Sequence, residues 1–280
     1  MRKRWTWLFI ILSVILISSV IYVVKINKTE EIFVLDEEPK RSLYEIECEL
    51  DTDNKTLSAT QTVDYYNNDN IEMKDIYFHV YPNAFRTKET APFLFNDFDN
   101  AYKRGFEPGY AEILFVSGYE EGIEKLLDYS FSGEGNTILQ VQLNKPIKPG
   151  GRTVLKISFK LFIPPACERF GYGKDHFNLG NWYPIAAVYD DKDGWNLDRY
   201  YPIGDPFYSD ASDYKVSIKA PKDYVIAASG KNTNKTESET HVTWEFEESA
   251  IRDFAFVANN KFKIVEEKQD GTVVKSYFYE

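Results

Sequence analysis

The chain has 280 residues, 43% of them hydrophobic and 16% aromatic, enough apolar material to bury a sizeable core and too much for low-complexity disorder. It carries a formal charge of −11; its first 28 residues hold five basic and no acidic side chains, leaving 28 basic against 44 acidic groups, a net of −16, for the rest. A body this acidic repels phosphate backbones and anionic lipid, which argues against nucleic acid as a partner.

At the N-terminus, Arg2, Lys3 and Arg4 precede an uncharged run from Trp5 to Val24. Twenty residues span about 30 Å as a helix, the thickness of a bilayer core. The leading positive charges hold the tip, residues 1–4, in the cytoplasm, and Trp5 and Trp7 suit the membrane interface. A cleaved signal peptide is the competing reading, but its apolar region is shorter, about 7 to 15 residues, and ends in a small-residue cleavage site. Nothing of the Ala-x-Ala kind follows here. The sequence therefore predicts one transmembrane helix over 5–24, a charged stalk with Pro39 over 25–42, and an extracytoplasmic domain over 43–280 of a single-pass cell-membrane protein.

From Leu43 onward the grammar is that of strands. Tyr44, Ile46, Cys48 and Leu50 alternate with polar residues, as do Leu57, Ala59, Gln61, Val63 and Tyr65; a turn over 67–70 leads to Ile76, Phe78 and Val80. His79, between the last two, points away from that face, to solvent or a second layer. Tyr81-Pro82-Asn83-Ala84-Phe85 breaks the pattern and opens an irregular region to about Gly109, with room for a short helix over Thr90–Arg104. Strands resume at Ala111–Tyr119, Ile138–Leu143 and Val154–Ile163, the last with Leu155, Ile157, Phe159 and Leu161 on one face until Pro164-Pro165 stops it.

The segment Phe177–Tyr214 is the densest in aromatic, proline and acidic residues together. Its prolines and lack of a 3.6-residue period exclude an amphipathic helix. It reads as a short strand over Tyr183–Tyr189, a turn at Lys192-Asp193-Gly194, and a long aromatic loop. Aromatics on loops held by a rigid sheet make recognition surfaces. After it, Tyr214, Val216, Ile218 and Ala220 alternate, Tyr224–Ala228 turns back, a polar loop covers 230–240, and further strands follow at Val242–Phe246, Phe254–Ala258 and Phe262–Val265. Asp270-Gly271 is a strong hairpin turn. About a dozen strands with hardly any helix predict an all-β domain, a large antiparallel sheet or sandwich. The chain stops at Glu280 inside a strand-like run, which marks either an edge strand or a domain that continues.

Cys48 and Cys167 pair in an oxidising compartment or, for Cys48, serve as a core residue. The sequons at Asn27, Asn54 and Asn234 matter only in a eukaryotic secretory pathway. Asp190, Asp191 and Asp193 beside Gly194 suggest a β-turn rather than a calcium loop, since no closing Glu follows at the needed place. No spacing singles out a pair of carboxylates for glycoside hydrolysis.

Five runs carry a resemblance: YFHVYPNAF (Tyr77–Phe85), ERFGYG (Glu168–Gly173), FNLGNWYPIAAVYDDKDGW (Phe177–Trp195), YPIGDPFYSDASDYKVSIKAP (Tyr201–Pro221) and IRDFAFVA (Ile251–Ala258). In that order they resemble the N-terminal β domain of aminopeptidase N-like zinc metallopeptidases, above all bacterial membrane-anchored ones. The resemblance implies a saddle-like β domain followed by a thermolysin-like catalytic domain in which two His and a Glu hold zinc. The histidines here, His79, His176 and His241, are each followed by an apolar residue, and there is no His-Glu-x-x-His. The sequence thus predicts no catalytic residue, no metal ligand and no cofactor in this chain, zinc belonging to an absent catalytic domain. A loop of the family's β domain lines the subsite for the substrate's N-terminus, which implies a substrate contact at Asn181, Trp182 and Tyr183, although the family's Gln-x-Glu pattern is missing. In the alternative reading Trp182 and Tyr183 pack beneath the loop.

Two functions follow as expectations: the membrane anchor and non-catalytic N-terminal domain of a partial metallopeptidase, inactive alone, or a free-standing extracytoplasmic module that binds a peptide, a glycan or a membrane complex. The membrane, through residues 5–24, and a catalytic domain or peptide are the expected partners.

Overall fold

The computed structural model describes residues 40–93, 97–204 and 207–279. Alternation builds the first hairpin, β1 (Leu43–Asp51) and β2 (Thr56–Tyr66), which turn Tyr44, Ile46, Leu57 and Val63 into the core. The Asp51 carboxylate closes the turn by accepting from the Asn54 amide at 2.9 Å and its side chain at 2.7 Å. Next come β3 (Met73–His79), β4 (Tyr110–Glu120), β5 (Ile123–Leu126), β6 (Tyr129–Ser132), β7 (Ile138–Ile147) and β8 (Arg152–Phe162). The central segment gives only short strands, β9 (Phe170–Tyr172), β10 (His176–Leu179), β11 (Ile185–Ala186), β12 (Tyr189–Asp190) and β13 (Gly194–Trp195). The chain finishes with β14 (Ser212–Pro221), β15 (Val225–Ala228), β16 (Lys231–Glu237), β17 (His241–Ile251), β18 (Phe256–Asn259), β19 (Lys263–Gln269) and β20 (Thr272–Phe278).

An eight-stranded sheet runs β16-β17-β14-β1-β2-β8-β4-β5; two four-stranded sheets run β15-β18-β10-β9 and β11-β3-β7-β6; β12-β13 and β19-β20 are hairpins. Apolar faces of the three larger sheets meet in one continuous core. Trp182 sits at the junction, its ring 6.3 Å from Phe159 of β8 and 5.5 Å from Phe256 of β18. Gln61, a polar residue on the buried face of β2, is accommodated because its side-chain amide donates to the Pro184 carbonyl at 3.0 Å.

Several expectations need correction. The large sheet is not wholly antiparallel: β1 and β14 pair in parallel, Glu45 with Lys215 and Glu49 with Lys219. The polar stretch read as a loop over 230–240 contains β16, an edge strand exposed on both faces and so without alternation to read. The helix allowed over Thr90–Arg104 shrinks to one turn at Phe98–Ala101, capped by Asp97. β15 leaves β14 for another sheet, and β17 takes the place beside β14. Of the two settings expected for His79, solvent or a second layer, the structure has the second, for the residue is buried. The anchor expected at 5–24 and most of the stalk lie outside the described residues; among those described, no helix is long and apolar enough to cross a membrane.

Candidate functional site

The register of β10 against β18 pairs Leu179 with Phe256, so Asn181, two residues beyond Leu179, comes close to the chain at Asp253 and Phe254, three and two residues before Phe256. Asn181 thereby reaches Asp253. Its backbone is left-handed, with φ at +50°, a conformation Asn tolerates better than most residues. Its side-chain amide donates to Asp253 Oδ2 at 3.1 Å. Gly180, just before it, hydrogen-bonds the Arg169 carbonyl at 2.8 Å, and a Cβ there would stand 3.1 Å from that oxygen, so the bend suits glycine.

Trp182 and Tyr183 turn inward from this bend. Both are fully buried, and the Trp182 indole donates to the Phe254 carbonyl at 3.0 Å. Tyr183 Oη lies 2.9 Å from Tyr214 Oη and 3.1 Å from Asp253 Oδ1, and it accepts the Phe254 amide at 3.2 Å. A carboxylate has no proton to give, so Tyr183 donates to Asp253 and Tyr214 donates to Tyr183. Burial pushes both phenols well above their ordinary range, helped by the nearby Asp253 charge, so both remain protonated donors. Of the three residues expected to contact a substrate, Asn181 alone borders a cavity, while Trp182 and Tyr183 buttress it from below.

That cavity encloses about 230 Å³. Tyr81 and Ile185 form its apolar side together with Phe207 and Tyr208, and its polar side is made by Asn181, Asp253, Arg169, Arg252 and Ser209. Every one of these nine residues belongs to one of the five runs Tyr77–Phe85, Glu168–Gly173, Phe177–Trp195, Tyr201–Pro221 and Ile251–Ala258, and each run supplies at least one. The walls are tied together. Arg252 Nη1 donates to the Ser209 carbonyl at 3.0 Å, while Ser209 Oγ donates to the Arg252 carbonyl at 2.7 Å. Arg169 Nη2 donates to the Gly204 carbonyl at 2.7 Å, and its guanidinium covers the Phe207 ring at 5.1 Å. The aromatic loop is pinned by Tyr81, whose ring lies 4.9 Å from Phe207 and 5.9 Å from Tyr200, in edge-to-face contacts.

A larger hollow of about 530 Å³ lies between Phe93, Glu134, Arg199 and Ile203. Three charged residues line it, Glu89, Glu134 and Arg199; Arg199 and Glu134 pair with each other at 2.9 Å and are exposed, so it offers a ligand less than the smaller cavity does.

Among the described residues no group of three or more His, Cys, Asp or Glu side chains is placed to hold a metal ion. His79, His176 and His241 sit on β3, β10 and β17, and His79 Nε2 meets the Asn196 carbonyl at 3.1 Å. Asp190 is occupied with its turn, accepting the Lys192 and Asp193 amides at 2.8 and 3.2 Å. Cys48 is buried and Cys167 exposed, and both are free thiols. Asp253 and Arg252 are the residues that sequence reasoning did not single out. Their signal is a pair of opposite charges inside the otherwise apolar run Ile251–Ala258.

No protein-family model matches the sequence, and no curated protein matches it. Among solved structures, the chain is similar to the M1 zinc metallopeptidase from Deinococcus radiodurans, at 14% identity and a TM-score of 0.47. It is similar also to a mutant of that enzyme bound to a Tyr-Ser-Ala substrate, at 11% identity and a TM-score of 0.48. A third is a two-domain M1 zinc metallopeptidase mutant bound to L-arginine, at 13% identity and a TM-score of 0.47. In each case the likeness covers 84% of this chain and 46% of the other, so the chain spans about half the length of the enzymes it matches.

Proposed function

We propose that this chain is a membrane-anchored, non-catalytic β domain of the kind that precedes the catalytic domain of zinc aminopeptidases, and that the cavity beside Asn181 is its ligand-contact surface. The observation that carries the proposal is convergence: five runs spread over more than 170 residues, chosen for their resemblance to that family, line one small cavity together. Residues that merely filled a core would have no reason to gather their charged members, Arg169, Arg252 and Asp253, around one opening.

The chemistry proposed for the whole protein is removal of N-terminal residues by zinc-activated water. The described residues do not fit a zinc site, so the metal and its general base fall to another stretch of polypeptide, and no step is assigned to this chain beyond ligand contact. Residues 5–24 fasten the domain to the cell membrane with the N-terminus in the cytoplasm. An antibody against the β domain tests the reading on the native membrane fraction: a polypeptide far heavier than 32.6 kDa is expected. A species near 32.6 kDa would overturn it in favour of a free-standing docking module. The observation favouring that second reading is the β19–β20 hairpin, which leaves Ile264, Val265, Val273, Val274 and Phe278 exposed.

A further inference from the structure

We infer that His79 is an acid-sensitive latch: as a neutral ring it holds residues 196–204 against β3, and its protonation releases them. His79 lies inside a sheet, paired with Ile185 of β11 on one side and Ile138 of β7 on the other, so its own backbone is fixed from both sides. The residue is 1% exposed. Its Nε2 meets the Asn196 carbonyl at 3.1 Å, and a carbonyl only accepts, so Nε2 carries the proton and Nδ1 a lone pair. That Nδ1 is buried without a partner. The ring stacks on Tyr81 at 4.8 Å, and the Tyr200 ring packs edge-to-face on Tyr81 at 5.9 Å and on Phe85 at 5.8 Å. One imidazole thus holds the start of the stretch and supports the aromatic group that receives its middle.

Protonation at Nδ1 puts a charge and an unpaired N–H in that buried position. The groups around it offer no acceptor in place. Ile185 and Ile138 flank the residue, Tyr77 on the same face of β3 is turned to Trp195 at 5.3 Å, and Tyr81 is a phenol that burial keeps neutral. The carboxylate whose charge favours a protonated ring, Asp198, sits on the stretch itself and accepts from Asn196 Nδ2 at 3.4 Å. The side that yields is residues 196–204, which belong to no strand and whose ion pair, Arg199 with Glu134, is exposed. Their departure removes one side of the hollow of about 530 Å³, formed by Arg199, Tyr200, Pro202 and Ile203. Desolvation holds the pKa of the enclosed ring at about 4, below the ordinary 6.5. The closed arrangement therefore binds fewer protons than the open one, so the latch is fully effective above pH 6.5 and weakens as pH falls towards 4.

The test follows the Asn196 amide, which donates to the Val188 carbonyl at 2.8 Å and is freed when the stretch leaves. Deuterium exchange of the full-length chain in detergent is read residue by residue at pH 7 and pH 5 and corrected for the intrinsic pH dependence of exchange. Protection at Asn196 is expected to fall roughly twentyfold, the ratio set by a ring pKa of about 4 when closed and 6.5 when open. The amides of β8, a strand paired on both sides, are expected to exchange at least about tenfold more slowly than Asn196 at both pH values. In H79N the fall at Asn196 is expected to shrink below about threefold. Protection at Asn196 that does not change with pH, an H79N chain that keeps the full fall, or exchange at Asn196 in step with β8, which would mean that the stretch opens only by global unfolding, would each overturn the inference. If H79N does not fold, titration of the His79 ring in the wild-type chain by NMR decides: a midpoint below about 6 supports the latch, and one at or above it overturns it.

Discussion

His79 shows how one buried side chain sets a pH dependence. Its Nε2 meets the Asn196 carbonyl at 3.1 Å and therefore carries the proton, while Nδ1 is buried without a partner. The ring stacks on Tyr81 at 4.8 Å. Desolvation lowers its pKa to about 4, against a smaller opposing effect of the Asn196 carbonyl. The folded state thus binds fewer protons than the unfolded state between about pH 6.5 and 4, so the stabilising effect of the neutral ring is full above 6.5 and lost as pH falls through that window. The loss is on the order of 3 kcal/mol at most. Urea denaturation at pH 7.5 and 4.5 checks it: the wild-type chain loses more stability between the two than His79→Asn does. At Trp182, replacement by Phe keeps an apolar ring but leaves the buried Phe254 carbonyl without its donor. A loss of about 1–3 kcal/mol is expected in the same assay. The alternation set His79 on the outward face of its strand, toward solvent or a second layer, and did not say which; the chain at Asn196 supplies the partner on that face.

At the scale of the element, the parallel pairing of β1 with β14 is the least expected feature. It places Glu45 against Lys215 at 3.2 Å and Glu49 against Lys219 at 2.9 Å, each side chain about half exposed. Exposed pairs of this kind contribute about 0–1 kcal/mol each, so they favour this register rather than hold the sheet together. A double-mutant cycle tests this: Glu49→Lys alone lowers stability by less than about 1 kcal/mol, and adding Lys219→Glu recovers most of that loss. The two edges of the sheet differ. β16 is guarded by Lys231 and Lys235 and by a register shift between Asn232 and Asn234, whereas β5 exposes Ile123 at 63% and Leu126 at 75%. Replacing both by Lys is expected to reduce self-association in light scattering while the melting temperature stays unchanged. Strands with one buried face, such as β8 and β14, were legible because a two-residue period leaves a pattern; β16 was not, because neither of its faces is buried.

For the whole molecule, the core is continuous across three sheets, and the cavity lies where two of them bring distant runs together. The proposed anchor predicts that the full chain stays with membranes through a high-salt wash, while a segment from Thr29 to Glu280 is released as soluble protein; a full chain washed off by salt would exclude a spanning helix. The purified soluble segment is also expected not to hydrolyse aminoacyl amides.

Alternation along the chain determined which residues face inward: Leu155, Ile157, Phe159 and Leu161, or Tyr214, Val216, Ile218 and Ala220, are buried as their spacing requires, because a strand's side chains alternate wherever it is placed. Asp270-Gly271 likewise fixed its own hairpin, both residues adopting the positive φ that a two-residue turn needs. Only the tertiary structure decided that Asn181 meets Asp253, 72 residues away, and that Trp182 and Tyr183 turn beneath it. That outcome depends on β10 pairing with β18 in one register, and the pairing of strands so far apart in sequence leaves no local trace in either of them.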